Sequence, residues 1–181
     1  MQALCEDIVQ RSDAMRHIDA SRVAVSFSHS RKPGRYGIWA ALTPLRFAGG
    51  AATVTRGGTR YRCQRVVSPS GREMLYILNF YLPRFMDLSL TEKVTTIFHE
   101  LWHISPKFDG DIRRFSGRCY AHSHSEKAYD AAMRELADQW LALKPPPEKY
   151  AFLRYSFDEL NRQHGPVIGV RVAHPKLIRE A

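Results

Sequence analysis

Hydrophobic residues recur at helical spacing in three stretches of the chain. The first covers residues 3–19, the second begins after Ser89, and the third covers residues 125–143. In each stretch an apolar residue returns every three or four positions, so the apolar side chains line one face of a helix. The pattern predicts three amphipathic helices that pack on a common core.

Four other stretches are typical of β-strands, since they are rich in β-branched and aromatic residues and are bounded by Gly, Pro or Ser. They are residues 23–27, 38–47, 59–67 and 73–81. Pro44 places the second stretch at a sheet edge or ends it early, because proline has no N–H for the ladder. We expect residues 74–80 to form an edge strand that can bind an extended peptide by adding it to the sheet.

This order of elements predicts an α+β fold with one small domain over residues 1–143. We expect an antiparallel or mixed sheet of three to four strands, packed on the second and third helices. Residues 144–181 begin with a proline-rich segment and form a C-terminal extension that packs on or near the domain. Within it, residues 151–161 are predicted to form a short helix and residues 167–172 a strand or extended segment.

The second helix has clear boundary signals. Ser89-Leu90-Thr91-Glu92 is a capping box, in which Ser89 accepts from early backbone N–H groups and Glu92 reaches back. Ser105-Pro106 ends the helix, because the residue before proline is pushed out of the α region. The sequence therefore predicts a helix of about four turns.

Candidate chemistry lies near the end of this helix, where the chain contains His99-Glu100-Leu101-Trp102-His103. His99 and His103 are four residues apart and so lie on one helix face, one turn apart. Two imidazoles so placed can bind one Zn²⁺, while Glu100 acts as general base on an activated water. The pattern indicates metal-assisted hydrolysis of peptide bonds.

A catalytic zinc site takes three protein ligands and leaves one position open, so a third ligand must come from another segment. Glu126 with Asp130 fits the Glu-x-x-x-Asp pattern of a thermolysin-like site. His122 and His124 lie just before the third helix, where a ligand is held by fixed backbone geometry. We choose His124, with His122 and Glu126 as alternatives.

The block from Thr95 to Asp130 resembles the phage-type metallopeptidases, which are relatives of the SprT-like zinc peptidases. The resemblance is carried by His99-Glu100-Leu101-Trp102-His103-Ile104, Phe108-Asp109-Gly110-Asp111, Arg113-Arg114-Phe115 and Tyr120-Ala121-His122-Ser123-His124. It implies a zincin-like fold, one zinc ion and peptidase activity. In related sequences an aromatic residue follows the third histidine by about five positions; His124 and Tyr129 have that spacing, so the resemblance favours His124 as ligand. SprT-like members have a His-Gly pair at this point, whereas this chain has His-Ser.

Composition narrows the setting and the partners. The net charge is +9, and 20 of the 27 basic residues are arginine. Arg56, Arg60, Arg62 and Arg65 form the densest basic cluster, and if they share one face they can contact the phosphates of a nucleic acid. Asp109 and Asp111 are interpreted as part of a surface turn around Gly110.

Three widely separated cysteines without a Cys-x-x-Cys pair argue against a disulfide framework and a cysteine zinc site. No apolar stretch approaches the roughly 18 residues of a membrane span. The N-terminus lacks a basic region followed by a long apolar segment, so we expect no secretory signal. A reducing cytoplasm, of a bacterium or of an infected host cell, is the expected location.

Two classes of function follow from these observations. The first is a zinc-dependent metallopeptidase, an endopeptidase acting on polypeptide substrates, with Zn²⁺ on His99, His103 and His124 and with Glu100 as base. The alternative is a basic domain that binds nucleic acid or a protein partner, with zinc structural or absent. Glu100 favours the enzyme, because a structural zinc site closes its fourth position and has no use for a base.

Overall fold

A computed structural model of the chain describes residues 1–30, 37–114 and 126–180. The α+β class is confirmed, with five α-helices and six strands among the described residues. The strands form two three-stranded sheets, whereas the sequence led us to expect one sheet of three to four strands. Of the described helices, none is both long and apolar enough to span a bilayer.

The three long helices and strands β1, β2, β4 and β5 lie close to the predicted positions, whereas α4 and β6 were not predicted and residues 167–172 form no strand. In chain order they are α1 Gln2–Arg11, β1 Val23–His29, β2 Ala40–Pro44, β3 Thr53–Arg56, β4 Thr59–Cys63, β5 Tyr76–Leu82, α2 Leu90–Trp102, α3 Glu126–Ala142, α4 Pro147–Tyr150, α5 Phe157–His164 and β6 Leu177–Arg179. The first helix is shorter than expected, because the chain turns at Ser12 and continues as a short 3₁₀ segment. Strand β3 was not anticipated.

The first sheet has the strand order β1-β5-β2, with β5 parallel to β1 and antiparallel to β2. The prediction that residues 74–80 form an edge strand is therefore wrong, because β5 is paired on both sides. Both faces of β5 are largely buried, which suits a central strand. The two outer strands are β1 and β2, and β2 ends at Pro44, as that residue predicted.

One main core lies between the first sheet and the three long helices. Its largest fully buried side chains include Leu4 and Ile8 of α1, Tyr76, Leu78 and Phe80 of β5, Ile97 and Phe98 of α2, and Trp140 of α3. Trp140 also donates its indole N–H to Asp7 Oδ2 at 3.0 Å, which fixes α3 against α1. This packing holds α2 between the sheet and α3.

The second sheet has the order β3-β4-β6, with both pairs antiparallel. Gly57 and Gly58 join β3 to β4 with φ values of 54° and 74°, a backbone that a tight two-residue hairpin turn needs. Strand β6 comes from the C-terminal extension, so the extension completes this sheet.

The extension is also anchored to α2 and to the first sheet. The ammonium group of Lys93 on α2 is buried and donates to the carbonyls of Leu153 and Tyr155, each at 2.8 Å. The backbone N–H of Phe27 in β1 donates to Val170 O at 3.0 Å. The helix expected over residues 151–161 is divided, because Ser156 forms a capping box with Glu159 and starts α5 at Phe157.

Candidate metal centre

The capping box predicted at the start of α2 is present. Ser89 Oγ accepts from the backbone N–H of Glu92 at 3.3 Å, and Glu92 Oε2 accepts from the N–H of Ser89 at 2.8 Å. The helix ends at Trp102, and His103 is its C-cap with helical φ and ψ. Both histidines of the motif therefore lie in the last turn of a well-defined helix, as the sequence predicted.

The two histidine rings are neighbours. The ring centroids of His99 and His103 are 4.9 Å apart, and their planes cross at 76°. Two nitrogens that share a tetrahedral zinc ion lie roughly 3–3.5 Å apart, a separation that rings at this distance can reach. The pair therefore fits a single zinc ion.

Tyr129 of α3 supports both rings. Its side chain is buried, with its ring centroid 4.9 Å from that of His99 and 6.0 Å from that of His103. Its hydroxyl donates to His99 O at 3.4 Å. The sequence predicted Tyr129 as a residue of the apolar face of this helix, and the structure places that face directly on the motif.

Asp130, the next residue of α3, approaches the first histidine. Its Oδ1 lies 3.9 Å from His99 Nδ1, an ion-pair distance. The other ring nitrogen, Nε2, is on the opposite side of the imidazole. Histidines that bind a metal usually have a carboxylate or carbonyl at the second nitrogen, which fixes the tautomer and the ring orientation. Asp130 places a carboxylate beside His99 Nδ1, at a distance longer than a hydrogen bond.

Glu100 faces the edge strand rather than solvent. Its side chain lies between α2 and β2, the residue is 9% exposed, and Oε2 accepts from the backbone N–H of Leu42 at 2.8 Å. Burial raises the pKa of Glu100 from its ordinary 4.5 to about 7, and the hydrogen bond from Leu42 lowers it in part. A carboxyl group with a pKa near neutrality can both take up and release a proton at working pH.

The raised pKa predicts how stability varies with pH in the zinc-free protein. Because the folded pKa lies above the unfolded one, stability falls as pH rises from about 4.5 to about 7 and stays reduced above that range. Glu100→Gln removes the charge and keeps an acceptor for Leu42. Above neutral pH the zinc-free variant should therefore be more stable than wild type by about 3 kcal/mol, and near pH 4 the two should be equal.

Urea unfolding of the zinc-free proteins at several pH values measures this difference. Glu135→Gln, the same substitution at an exposed position of α3, is the matched control and should show no such trend. Equal stabilities of wild type and Glu100→Gln across the whole range would show that Glu100 is not desolvated.

A groove of about 510 Å³ opens beside the motif. Its walls come from the start of β2 and from the faces of α2 and α3, and they include Ile38, Trp39, Ala40, Thr95, Thr96, His99, Glu100, Asp130 and Arg134. The groove thus contains the candidate base, the first candidate ligand and Asp130. Apart from the edge position that Pro44 indicates, no sequence pattern predicted that Ile38–Ala40 line the groove.

The third ligand was predicted among His124, His122 and Glu126. His122 and His124 lie outside the described residues, and the backbone of Glu126 opens α3 one turn before Asp130. Among the described residues, His, Cys, Asp and Glu side chains form no group of three that could hold a metal. Tyr129, three residues after the start of α3, lies against both histidine rings.

Of the two aspartates after α2, Asp111 is buried and forms part of the fold. Asp111 is only 4% exposed, accepts from Gly49 N at 2.9 Å, and receives two hydrogen bonds from the guanidinium group of Arg114 at 2.9 and 2.8 Å. The interpretation of Asp111 as a surface residue is therefore wrong, because its carboxylate ties this loop to the segment that follows β2. The guanidinium carbon of Arg113 lies 4.1 Å from the centroid of the Trp102 ring, and Arg113 Nε donates to Trp102 O at 2.8 Å.

The four clustered arginines do not form one stripe. Arg60 and Arg62 share a face of β4, whereas Arg56 is paired with Thr59 and so points to the other face. Arg60 is 3.0 Å from a carboxylate oxygen of Glu180, and Arg65 is 3.2 Å from Glu73. Contact with nucleic acid stays a prediction from the charge.

Comparisons of the chain with protein-family models, with curated proteins and with solved structures found no match. The function is therefore inferred from the geometry of the site and from the chemistry of its residues.

Proposed function

We propose that the protein is a zinc-dependent endopeptidase, with its active site at the end of α2 beside the edge of β2. The observation that carries the proposal is the position of Glu100. A carboxyl group with a pKa near 7 lies on the same helix turn as two adjacent imidazoles and faces a groove beside a free strand edge. A structural zinc site has no need of a desolvated acid in this position.

His99 and His103 would hold the zinc ion, together with a third ligand for which His124 is our choice and His122 and Glu126 are the alternatives. When bound, zinc supplies Lewis-acid activation of water and of the peptide carbonyl. The resemblance to phage-type and SprT-like zinc peptidases implies the same ligand chemistry, and we propose it for this protein.

Glu100 carries the proton transfers. Its carboxylate accepts a proton from the attacking water and then donates it to the leaving amine, which is the expected use of a group whose pKa is near neutral. The hydrogen bond from Leu42 N holds the Glu100 carboxylate in one orientation. The side chain therefore does not have to change its rotamer before the proton transfer.

The substrate is a polypeptide in an extended conformation. Strand β2 is the edge of the first sheet that lies beside the motif, and an extended peptide can add to such an edge through main-chain hydrogen bonds. Main-chain hydrogen bonds do not distinguish one side chain of the substrate from another. Any sequence preference must therefore come from the groove beside β2.

Zinc removal tests the proposal most directly. Protein loaded with one zinc ion should cleave a degenerate peptide library, lose this activity on dialysis against a chelator, and recover it when zinc is added back. Mass spectrometry of the products detects cleavage without knowledge of the substrate. Cleavage that persists in the zinc-free protein would contradict the proposed chemistry.

Asp130 has a positioning role that can be tested separately. Asp130→Asn removes the charge beside His99 Nδ1 and should weaken zinc binding by about 10–100-fold, measured by competition with a chromophoric chelator. Asp138→Asn makes the same change two turns further along the exposed side of α3 and should leave the affinity unchanged. Equal affinities of wild type and Asp130→Asn would remove Asp130 from the site.

A further inference from the structure

The backbone groups of β2 alternate between the side that pairs with β5 and the outer edge of the sheet. The N–H of Tyr81 in β5 donates to Trp39 O at 2.9 Å, and residues of an antiparallel pair alternate between bonded and non-bonded positions. Trp39, Ala41 and Thr43 therefore turn their backbone groups toward β5. Ala40 and Leu42 turn theirs toward the free edge, as the hydrogen bond from Leu42 N to Glu100 shows.

One end of this edge is closed. The N–H of Leu42 is bonded to Glu100, and Pro44 has no N–H to offer. Beyond Pro44, the backbone of Arg46 donates to Gly110 O at 3.0 Å and that of Gly49 donates to Asp111 Oδ2 at 2.9 Å. The loop after α2 thus occupies the positions that a peptide would need on this side of Glu100.

The other end leads into the groove. Among the residues that the structure describes, none bonds to the backbone N–H or C=O of Ala40 on this side, and Ile38 is 59% exposed at the groove wall. An antiparallel partner forms both hydrogen bonds with a single residue, and antiparallel pairing is slightly more stable per residue than parallel pairing. The edge at Ala40 therefore favours an antiparallel peptide.

Resting on the proposed function, we infer that the enzyme recognises its substrate on one side of the scissile bond only, the C-terminal side. An antiparallel peptide runs opposite to β2, so the residues that face Ala40 follow those that face Leu42. The carbonyl that is cleaved belongs to the residue facing Leu42, because Glu100 is bonded at that position. The second residue after the scissile bond then pairs with Ala40.

The groove assigns a side-chain class to that second residue. Directly opposed residues of an antiparallel pair project to the same face of the sheet, and Ala40 is buried on the face covered by α2. The side chain paired with it therefore enters the groove between Ile38 and Trp39 on one side and Thr95 and Thr96 on the other. These walls and the 510 Å³ volume suit a bulky apolar side chain.

The first test uses the zinc-loaded protein and a degenerate library of N-blocked octapeptides. We expect selection for a bulky apolar residue at the second position after the cleaved bond, and little selection before the bond. Ile38→Ser should raise the KM for the best peptide about tenfold, while Leu143→Ser, at another exposed apolar residue outside the groove, should not. Cleavage with its selection before the bond would overturn the inference and leave the proposed function intact.

The second test measures binding instead of turnover. The best peptide is labelled and titrated by fluorescence anisotropy against zinc-loaded Glu100→Gln protein. An ester that replaces the N–H of the second residue after the bond should weaken binding about five- to tenfold, because the hydrogen bond to Ala40 O is lost. The same replacement two residues before the bond should have less effect; equal losses at both positions would overturn the inference. A library that is not cleaved at all would instead contradict the proposed function.

Discussion

Replacing Glu100 with glutamine is expected to lower peptide hydrolysis by about 10²–10⁴-fold while the protein retains its zinc. Glutamine has the same shape and can still accept from Leu42 N, so β2 and α2 keep their contact. It cannot take a proton from water at neutral pH, which is the step that we propose for the buried carboxyl group of Glu100. The effect should therefore appear in kcat rather than in KM.

The measurement compares kcat and zinc content of the wild-type and Glu100→Gln proteins on one library peptide. Glu135→Gln, on an exposed face of α3, controls for loss of one negative charge and should retain full activity. Wild-type turnover by Glu100→Gln protein would contradict the assignment of the base. Loss of zinc together with activity would show that Glu100 has a role in metal binding instead.

Substitution of either histidine of the motif should have the largest effect on metal binding. His99→Ala and His103→Ala each remove a ligand, so zinc affinity should fall by more than the roughly 10–100-fold expected for Asp130→Asn. His174→Ala, at an exposed position in the extension, should bind zinc as wild type does. Elemental analysis of the purified proteins gives the zinc content, and competition with a chelator gives the affinity.

The same assay identifies the third ligand. We expect His124→Ala to lower zinc affinity as much as His99→Ala does, and His122→Ala and Glu126→Gln to lower it far less. A large loss in Glu126→Gln alone would instead indicate a thermolysin-like site, in which Glu126 binds the metal and Asp130 orients His99. Wild-type protein without bound zinc would leave the alternative function, a basic domain that binds nucleic acid or a protein partner.

Several local features of the site could be predicted from the sequence. The start of α2 follows from Ser89 and Glu92, because a capping box depends on residues three apart. The shared face of His99 and His103 follows from the helical repeat. The edge position of β2 follows from Pro44, whose missing N–H excludes it from the middle of a sheet.

Strand neighbours could not be predicted in the same way. The hydrophobic pattern of residues 74–80 is compatible with an edge strand as well as with a central strand. Only the pairing of β5 with both β1 and β2 shows that this strand is central. Asp111 was assigned to a surface turn because Asp and Gly favour turns, yet its carboxylate accepts from the N–H of Gly49, 62 positions away, and is buried. Both errors concern partners that are distant in the chain.

By itself the sequence determined where α2 begins and ends and which side chains it presents on one face, including two histidines at the spacing of a proposed zinc site. These properties depend on residues within a few positions of one another. The tertiary structure decided that Glu100 faces Leu42 across 58 positions of chain and that Asp130 and Tyr129 meet the histidines. Burial by those distant residues changes the pKa of the acid, so its chemistry depends on packing that local patterns do not encode.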